Sequence, residues 1–300
     1  MRGKFIYLTI ALLLYSITSF SQISIGDSLP DSSAVLDIQS TDRGLLVPRM
    51  TTEQMNAIAD PEMGLVIFNT TVNTVYYYDG TEWNMFGDNT GGSCGDVTHG
   101  GYTYQTIVIG TQCWMTENLN IGKTVDGVIN QTDNGKVEKY CYNDDPDNCD
   151  TYGGLYQWWE MMAYVTSEGA QGICPAGWHV PTDEEWKILE GAVDSLYAVG
   201  DPEWDGTGFR GYDAGFSLKS SSGWNSGGDG NDSFGFTALP GGMRSTGGGF
   251  GDIGDVGHWW TSTQDQGGIS WYRLLDHAYD ESGRSNNGNG FGYSVRCIKN

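Results

Sequence analysis

Along the chain the spacing of hydrophobic and polar positions changes period several times, and each change predicts an element. An apolar run from Phe5 to Tyr15 follows Arg2 and Lys4 and precedes the small-residue site Ser19-Phe20-Ser21. That order is the signature of a secretory leader, residues 1–21, cut near Ser21/Gln22, and the run is shorter than the roughly 20 residues of a bilayer span. From 22 to 86, Leu36-Asp37-Ile38, the run from Gly44 to Met50 and the run from Gly64 to Phe68 read as short strands separated by turns. Thr51 to Ile58 predicts a turn or two of helix, with Thr51 or Thr52 as N-cap and Glu53 in the first turn. Val75 to Tyr78, Asp79-Gly80 and Thr81 to Trp83 predict a β-hairpin. Together they make a small β-rich unit.

Residues 87–100 open on Gly87-Asp88-Asn89-Thr90-Gly91-Gly92-Ser93, which is linker chemistry. A larger part, 101–300, follows. Gly101 to Gly110 alternates as a strand does, and Leu155 to Thr166 predicts a helix with Trp158, Met161 and Met162 toward the core. A second helix is predicted from Asp183 to Ala198. Thr182 caps it, Glu185 completes a capping box, and Asp183 and Glu184 suit the positive end of its dipole. Trp186, Leu189, Val193 and Leu196 form its apolar stripe, and Gly200 is positioned to end it. Beyond Asp201 glycine runs such as 227–230 and 247–251 alternate with scattered aromatics, which favours ordered long loops, because disordered tracts are aromatic-poor. No internal repeat is visible. The fold class is α+β.

Composition narrows the function. The formal net charge is −23, from 15 Lys and Arg against 38 Asp and Glu, and it becomes more negative once Arg2 and Lys4 leave with the leader. Nucleic acid is a poor partner for such a surface, since phosphate binding depends on Lys and Arg. No later stretch is apolar enough to span a membrane, and the even set of cysteines beyond the leader predicts three disulfides in an exported protein. Cys141 and Cys149 bracket a turn-rich segment, Cys174 and Cys297 would tie distant ends, and Cys94 is left with Cys113 across a predicted hairpin. A zinc site is disfavoured by the absence of a CxxC pair.

Six ordered motifs fill the larger part. They are Gly101 to Leu119, Tyr152 to Trp159, Ile173 to Trp186, Gly235 to Arg244, His258 to Thr263 and Gly292 to Cys297. In this order they resemble the Fibrobacter succinogenes major paralogous domain, from about Gly101 to Lys299. The resemblance implies a C-type-lectin-like fold and a bacterial source, periplasmic or extracellular. Upstream, Gly44-Leu45-Leu46-Val47-Pro48-Arg49-Met50, Gly64 to Phe68 and Tyr77 to Trp83 resemble a segment of bacterial surface and phage tail-fibre proteins. That segment implies a shaft or connector, in some cases trimeric, and hence a homo-oligomer. The chain ends just past the last motif, so no separate C-terminal sorting domain is expected.

No catalytic constellation stands out. Gly-x-Ser-x-Gly and His-Glu-x-x-His are both absent, and His179 before the capped helix reads as structural. Formylglycine-generating oxidases share the lectin-like architecture, but they need a reactive cysteine pair, and here every cysteine has a structural partner in view. Glu-Pro-Asn, Gln-Pro-Asp and Trp-Asn-Asp, the calcium and sugar tripeptides of C-type lectins, do not occur. Calcium stays a candidate cofactor through the oxygens of 144–148 and 229–232. The expected function is a non-enzymatic surface binding or adhesion module for a glycan or a surface protein, or else a structural part of a fibre or matrix. Of the tryptophans, Trp204 and Trp224, in the glycine-rich insertions, are the expected exposed stacking pair.

Overall fold

A computed structural model describes residues 23–25, 36–71, 74–81, 83–85 and 92–300. The leader assignment lies outside the described residues. Contacts divide the chain into two units, one ending at Phe86 and the other starting at Gly87.

In the first unit, Arg49–Met50 runs parallel to Val66–Asn69, which continues antiparallel through Thr74–Tyr78 to Trp83–Met85. The predicted hairpin is present, with Gly80 at φ +102° in its loop. The helix is Thr52–Asn56, and Thr51 caps it in a full capping box with Gln54. Among the described residues of this unit only Met55, Ile67 and Asn69 are buried, while Leu45, Leu46 and Met63 are 67, 78 and 76% exposed.

The second unit is mixed α+β and rich in sheet. Its larger sheet has eight strands. In spatial order they run Tyr156–Gln157, Gly292–Tyr293, Gly241–Arg244, Val256–Gln266, Ile269–Asp276, Ser282–Gly288 and Gly208–Arg210, with Phe250–Ile253 joined to Gly241–Arg244. A four-stranded sheet sets Ile298–Lys299 between Trp178–His179 and the Thr106–Ile109/Gln112–Met115 hairpin, so the last strand closes onto the first hairpin. Val256–Gln266 is buried on both faces over residues 257–262. Because side chains alternate along a strand, Trp259 enters a core with Trp114, Trp186 and Phe236, and Trp260 enters another with Trp158, Met161 and Tyr293. Both of these indoles find an acceptor: Trp259 Nε1 donates to Asn118 Oδ1 at 2.8 Å, and Trp260 Nε1 to Tyr156 O at 2.9 Å.

Two helices are shorter than the sequence predicts. The capped helix covers Asp183–Val193, with the Thr182/Glu185 box present, and stops at Asp194. The carboxylate of Asp194 gathers the backbone N–H groups of Leu196 and Tyr197, which bends the chain away and leaves Leu196 exposed instead of packed. At 155–166 the chain is a strand at Tyr156–Gln157 and then a helix at Trp158–Met161, ended by Ala163 and Tyr164 at φ 49° and 60°. Trp158, Met161 and Met162 are nonetheless buried as expected.

The disulfides are Cys94–Cys113, Cys141–Cys149 and Cys174–Cys297. The first draws residues 92–100, read from sequence as linker, into the domain, where Val97–His99 pairs with Tyr102–Tyr104. The third pins the last strand to the turn before Trp178.

The helix is fastened to the sheet by buried charge. Arg273 contacts Asp183 at 2.7 Å and Glu190 at 2.9 Å, Arg210 contacts Glu190 at 2.6 Å, and Arg284 contacts Asp183 at 2.8 Å. Ser282 Oγ donates to Glu190 as well, at 2.9 Å. Burial alone would raise the pKa of Asp183, but the hydrogen bonds from Arg284 and the charge of Arg273 outweigh it and bring it down to about 2. Removing one partner strands the others in a low-dielectric interior. We therefore expect Glu190→Gln to cost about 3 kcal/mol, read as a lower urea midpoint at unchanged slope. Because the folded pKa of Asp183 is depressed, its stabilisation is complete above about pH 4 and is lost as pH falls through about 2. An acid titration of unfolding that stays flat across that window would count against the assignment.

Candidate functional site

The expected exposed pair, Trp204 and Trp224, is interior: the two are 1% and 5% exposed. Trp204 sits in the 3-10 turn Pro202–Asp205, its Nε1 donating to Ala198 O at 3.0 Å, with the Arg210 guanidinium 5.5 Å from its ring. Trp224 Nε1 donates to Ser220 Oγ at 3.1 Å and Ala238 O at 3.2 Å, and Lys219 Nζ lies 5.4 Å from the ring. Neither offers a stacking face. Glycine-rich flanks suggested surface loops, but here glycine lets loops lie close to other backbone. A Cβ on Gly228 would come within 2.2 Å of His277 O, and one on Gly230 within 2.4 Å of Lys219 O.

That close packing builds an open cleft of about 750 Å³ between the Tyr212–Phe216 and Gly227–Asp229 loops and the His277–Glu281 turn. Tyr212 and Tyr279 are 59% and 45% exposed at its edge. Tyr279 is held flat against Phe209, with ring centroids 4.0 Å apart and planes inclined by 14°. The turn itself is anchored from beneath, where the buried Lys219 Nζ donates to Asp276 O at 3.0 Å and Tyr279 O at 2.9 Å, and Phe216 N donates to Asp280 O at 2.9 Å. The cleft therefore presents two tyrosine rings and the carboxylates of Asp280 and Glu281 on a fixed frame.

Asp194 fixes the other wall. Its carboxylate accepts five backbone N–H groups, those of Leu196 and Tyr197 on Oδ1 and those of Tyr212, Asp213 and Ala214 on Oδ2, at 2.7 to 3.1 Å. Burial would raise its pKa, but the N–H groups of Tyr212, Tyr197, Leu196 and Asp213 prevail and lower it. Tyr212 thus owes its position to the residue that ends the helix.

The remaining candidates resolve into structural partners. Asp144 accepts from Gly127 N at 2.7 Å, Asp145 caps the helix Pro146–Tyr152, Asp229 accepts from Trp224 N at 2.9 Å and Asp232 from Thr237 N at 2.7 Å. Among the described residues no group of three His, Cys, Asp or Glu side chains is placed to hold a metal ion. Each histidine contacts oxygen: His99 the carbonyl of Ile173, His179 both Glu185 and Asn300, His258 Asp252, and His277 Asp276. The sequence held only a weak signal for the cleft. Tyr-Asp occurs at 212–213 and 279–280, both within the glycine-rich region beyond Asp201, but also at 78–79, so the dipeptide alone does not single out the cleft.

Asp194→Asn would turn an amide NH2 toward one of the two sets of N–H donors. We expect a loss of about 2 kcal/mol and a melting point lower by about 5 °C. The stabilisation from Asp194 is present above its ordinary carboxylate range and fades as pH falls through its depressed folded value. The Asn variant should accordingly lose less on acidification than the wild type.

Residues 107–299 match the family model described as the Fibrobacter succinogenes major domain, and residues 24–98 match that of the phage tail like trimerisation region. No curated protein and no solved structure matches the chain.

Proposed function

The chain belongs to the Fibrobacter succinogenes major domain family, and on that footing we propose that it is an exported, non-enzymatic binding protein displayed at a bacterial surface. In this reading the first unit gathers copies and the second, of C-type-lectin-like fold, offers its cleft to a glycan. The observation that carries it is the pairing of Tyr212 and Tyr279 with Asp280 and Glu281 around one open cleft. Aromatic faces stack on the C–H faces of sugar rings while carboxylates accept hydroxyl hydrogen bonds, so this set suits an uncharged polyol better than an anion. All six cysteines are in disulfides, which supports a role without thiol chemistry. The disulfides and the absence, among the described residues, of a helix able to cross a membrane are consistent with export. A glycan array probed with the mature protein, then with Tyr212→Ala and Tyr279→Ala, tests the reading. We expect a neutral-glycan signal that falls at least tenfold in both variants. Equal signals in wild type and variants, or none at all, would shift the reading to a protein ligand.

The structural alternative, a fibre or matrix component, draws on the first unit. Leu45, Leu46 and Met63 lie exposed in a segment that matches a trimerisation region, and a lone copy leaves them in water. Light scattering should give the mass of three chains, reduced to one chain by Leu45→Glu with Leu46→Glu. A monomeric wild type would remove both the fibre reading and the display by trimers.

A further inference from the structure

A smaller cavity, of about 190 Å³, opens on another part of the second unit. Asn120 lies in its wall together with Tyr102, Tyr104 and Asp150. Lys139 reaches the same point from the strand Glu138–Lys139, and both Lys139 and Asn120 are 6% exposed. Lys139 Nζ donates to Asn120 O at 3.0 Å and is in close contact with Asn120 Oδ1, while the ring of Tyr102 lies 5.6 Å from Nζ. The two side chains are held from both ends. Asn120 N donates to Tyr104 Oη at 3.0 Å, Ile121 N to Tyr156 Oη at 2.9 Å, and Val125 N to Lys139 O at 2.9 Å.

A buried ammonium facing only neutral oxygens is in an unusual position for a lysine. Desolvation favours the neutral amine, and burial lowers the pKa of Lys139, with the charge of Asp150 opposing. Lys139 Nζ is held in contact with the side-chain amide of Asn120, so the fold supplies in advance the orientation needed for attack by the unprotonated amine, the form that burial favours.

We propose that Lys139 and Asn120 become joined by an intramolecular isopeptide bond. Nζ attacks Cγ of Asn120, the new C–N bond forms, and the bond from Cγ to the side-chain nitrogen breaks. The proton shed by Nζ ends on that nitrogen, which leaves as ammonia through the cavity. We assign the transfer of that proton to Asp150, an exposed residue of the cavity wall whose charge acts on Lys139. Neither oxidant nor cofactor takes part, and one ammonia is the sole by-product. The bond would close the chain between 120 and 139 within the same unit that the three disulfides staple.

Mass spectrometry of the unmodified full-length product tests this without any variant. The intact protein should weigh one ammonia less than the chain with three disulfides, and trypsin should fail to cut after Lys139. After reduction, the peptide carrying Asn120 should remain joined to the one carrying Lys139. The joined peptide makes the assignment, because an amino-terminal glutamine or an asparagine succinimide loses the same ammonia. Asn120→Asp should lose water instead and converge on the wild-type mass, whereas Lys139→Arg should keep the full mass of an unlinked chain. Asp150→Ala should slow the linkage at least tenfold with the disulfides intact, and an unchanged rate would remove Asp150 from the mechanism. Separate peptides with normal cleavage after Lys139 in the wild type would overturn the proposal.

Discussion

The structure of the second unit turns on five buried charges. Asp183 and Glu190, one at the start of the helix and one near its end, meet Arg210, Arg273 and Arg284 from three neighbouring strands. An apolar contact would tolerate sliding, but a buried guanidinium against a carboxylate does not, since each lost hydrogen bond exposes an uncompensated charge to the interior. The network therefore fixes both the rotation of the helix and the register of Gly208–Arg210, Ile269–Asp276 and Ser282–Gly288. The cleft inherits its geometry from that register. Its turn, His277–Glu281, joins the strands that carry Arg273 and Arg284, and its other wall hangs on Asp194, the residue after the helix. Loops that look irregular are thus only a few residues away from a rigid ionic frame.

Period-two alternation does the equivalent work for the apolar interior. A strand buried on one side separates core from solvent, whereas Val256–Gln266 separates two cores, which is why adjacent tryptophans are both needed there. Their indole N–H groups then tie the two cores to segments distant in sequence, through Asn118 and Tyr156. Glycine supplies the remaining freedom. At Gly228 and Gly230 it brings loop backbone against the turn and against the Phe216–Lys219 segment at distances that no side chain would allow.

Features encoded by neighbouring residues were legible in the sequence. The Thr182/Glu185 capping box and the Thr51 N-cap rest on positions a few residues apart, and the cysteine pairs agree with spacing and the hairpin, whereas the reciprocal Gln54 bond at Thr51 emerged only in the structure. What sequence could not supply was the partner of a side chain many residues away. Trp204 and Trp224 looked exposed because their flanks are rich in glycine, and they are buried because Ala198, Arg210 and Ala238 fold over them. The helix was expected to reach Ala198, since Leu196 continues its apolar stripe, yet five backbone donors converging on Asp194 outweigh one leucine. The stacking of Phe209 on Tyr279 joins residues that no local pattern connects.

The two units also make physical sense of each other's weaknesses. For the proposed glycan ligand, an open cleft with two aromatic faces would bury little of a sugar, so a single site would bind loosely, and area alone could not rescue it. A first unit that leaves Leu45, Leu46 and Met63 in water is unfavourable as a single copy for a separate reason. The proposed assembly would address both at once. In the proposed trimer, covering those residues would supply the driving force for association, and three linked clefts on a repetitive polysaccharide would convert later binding events into intramolecular ones. With linkers that can span the repeat, avidity exceeds single-site affinity by about 10² to 10⁴. The advantage holds only if each domain keeps its shape under load, which is what covalent staples and a buried ionic frame provide.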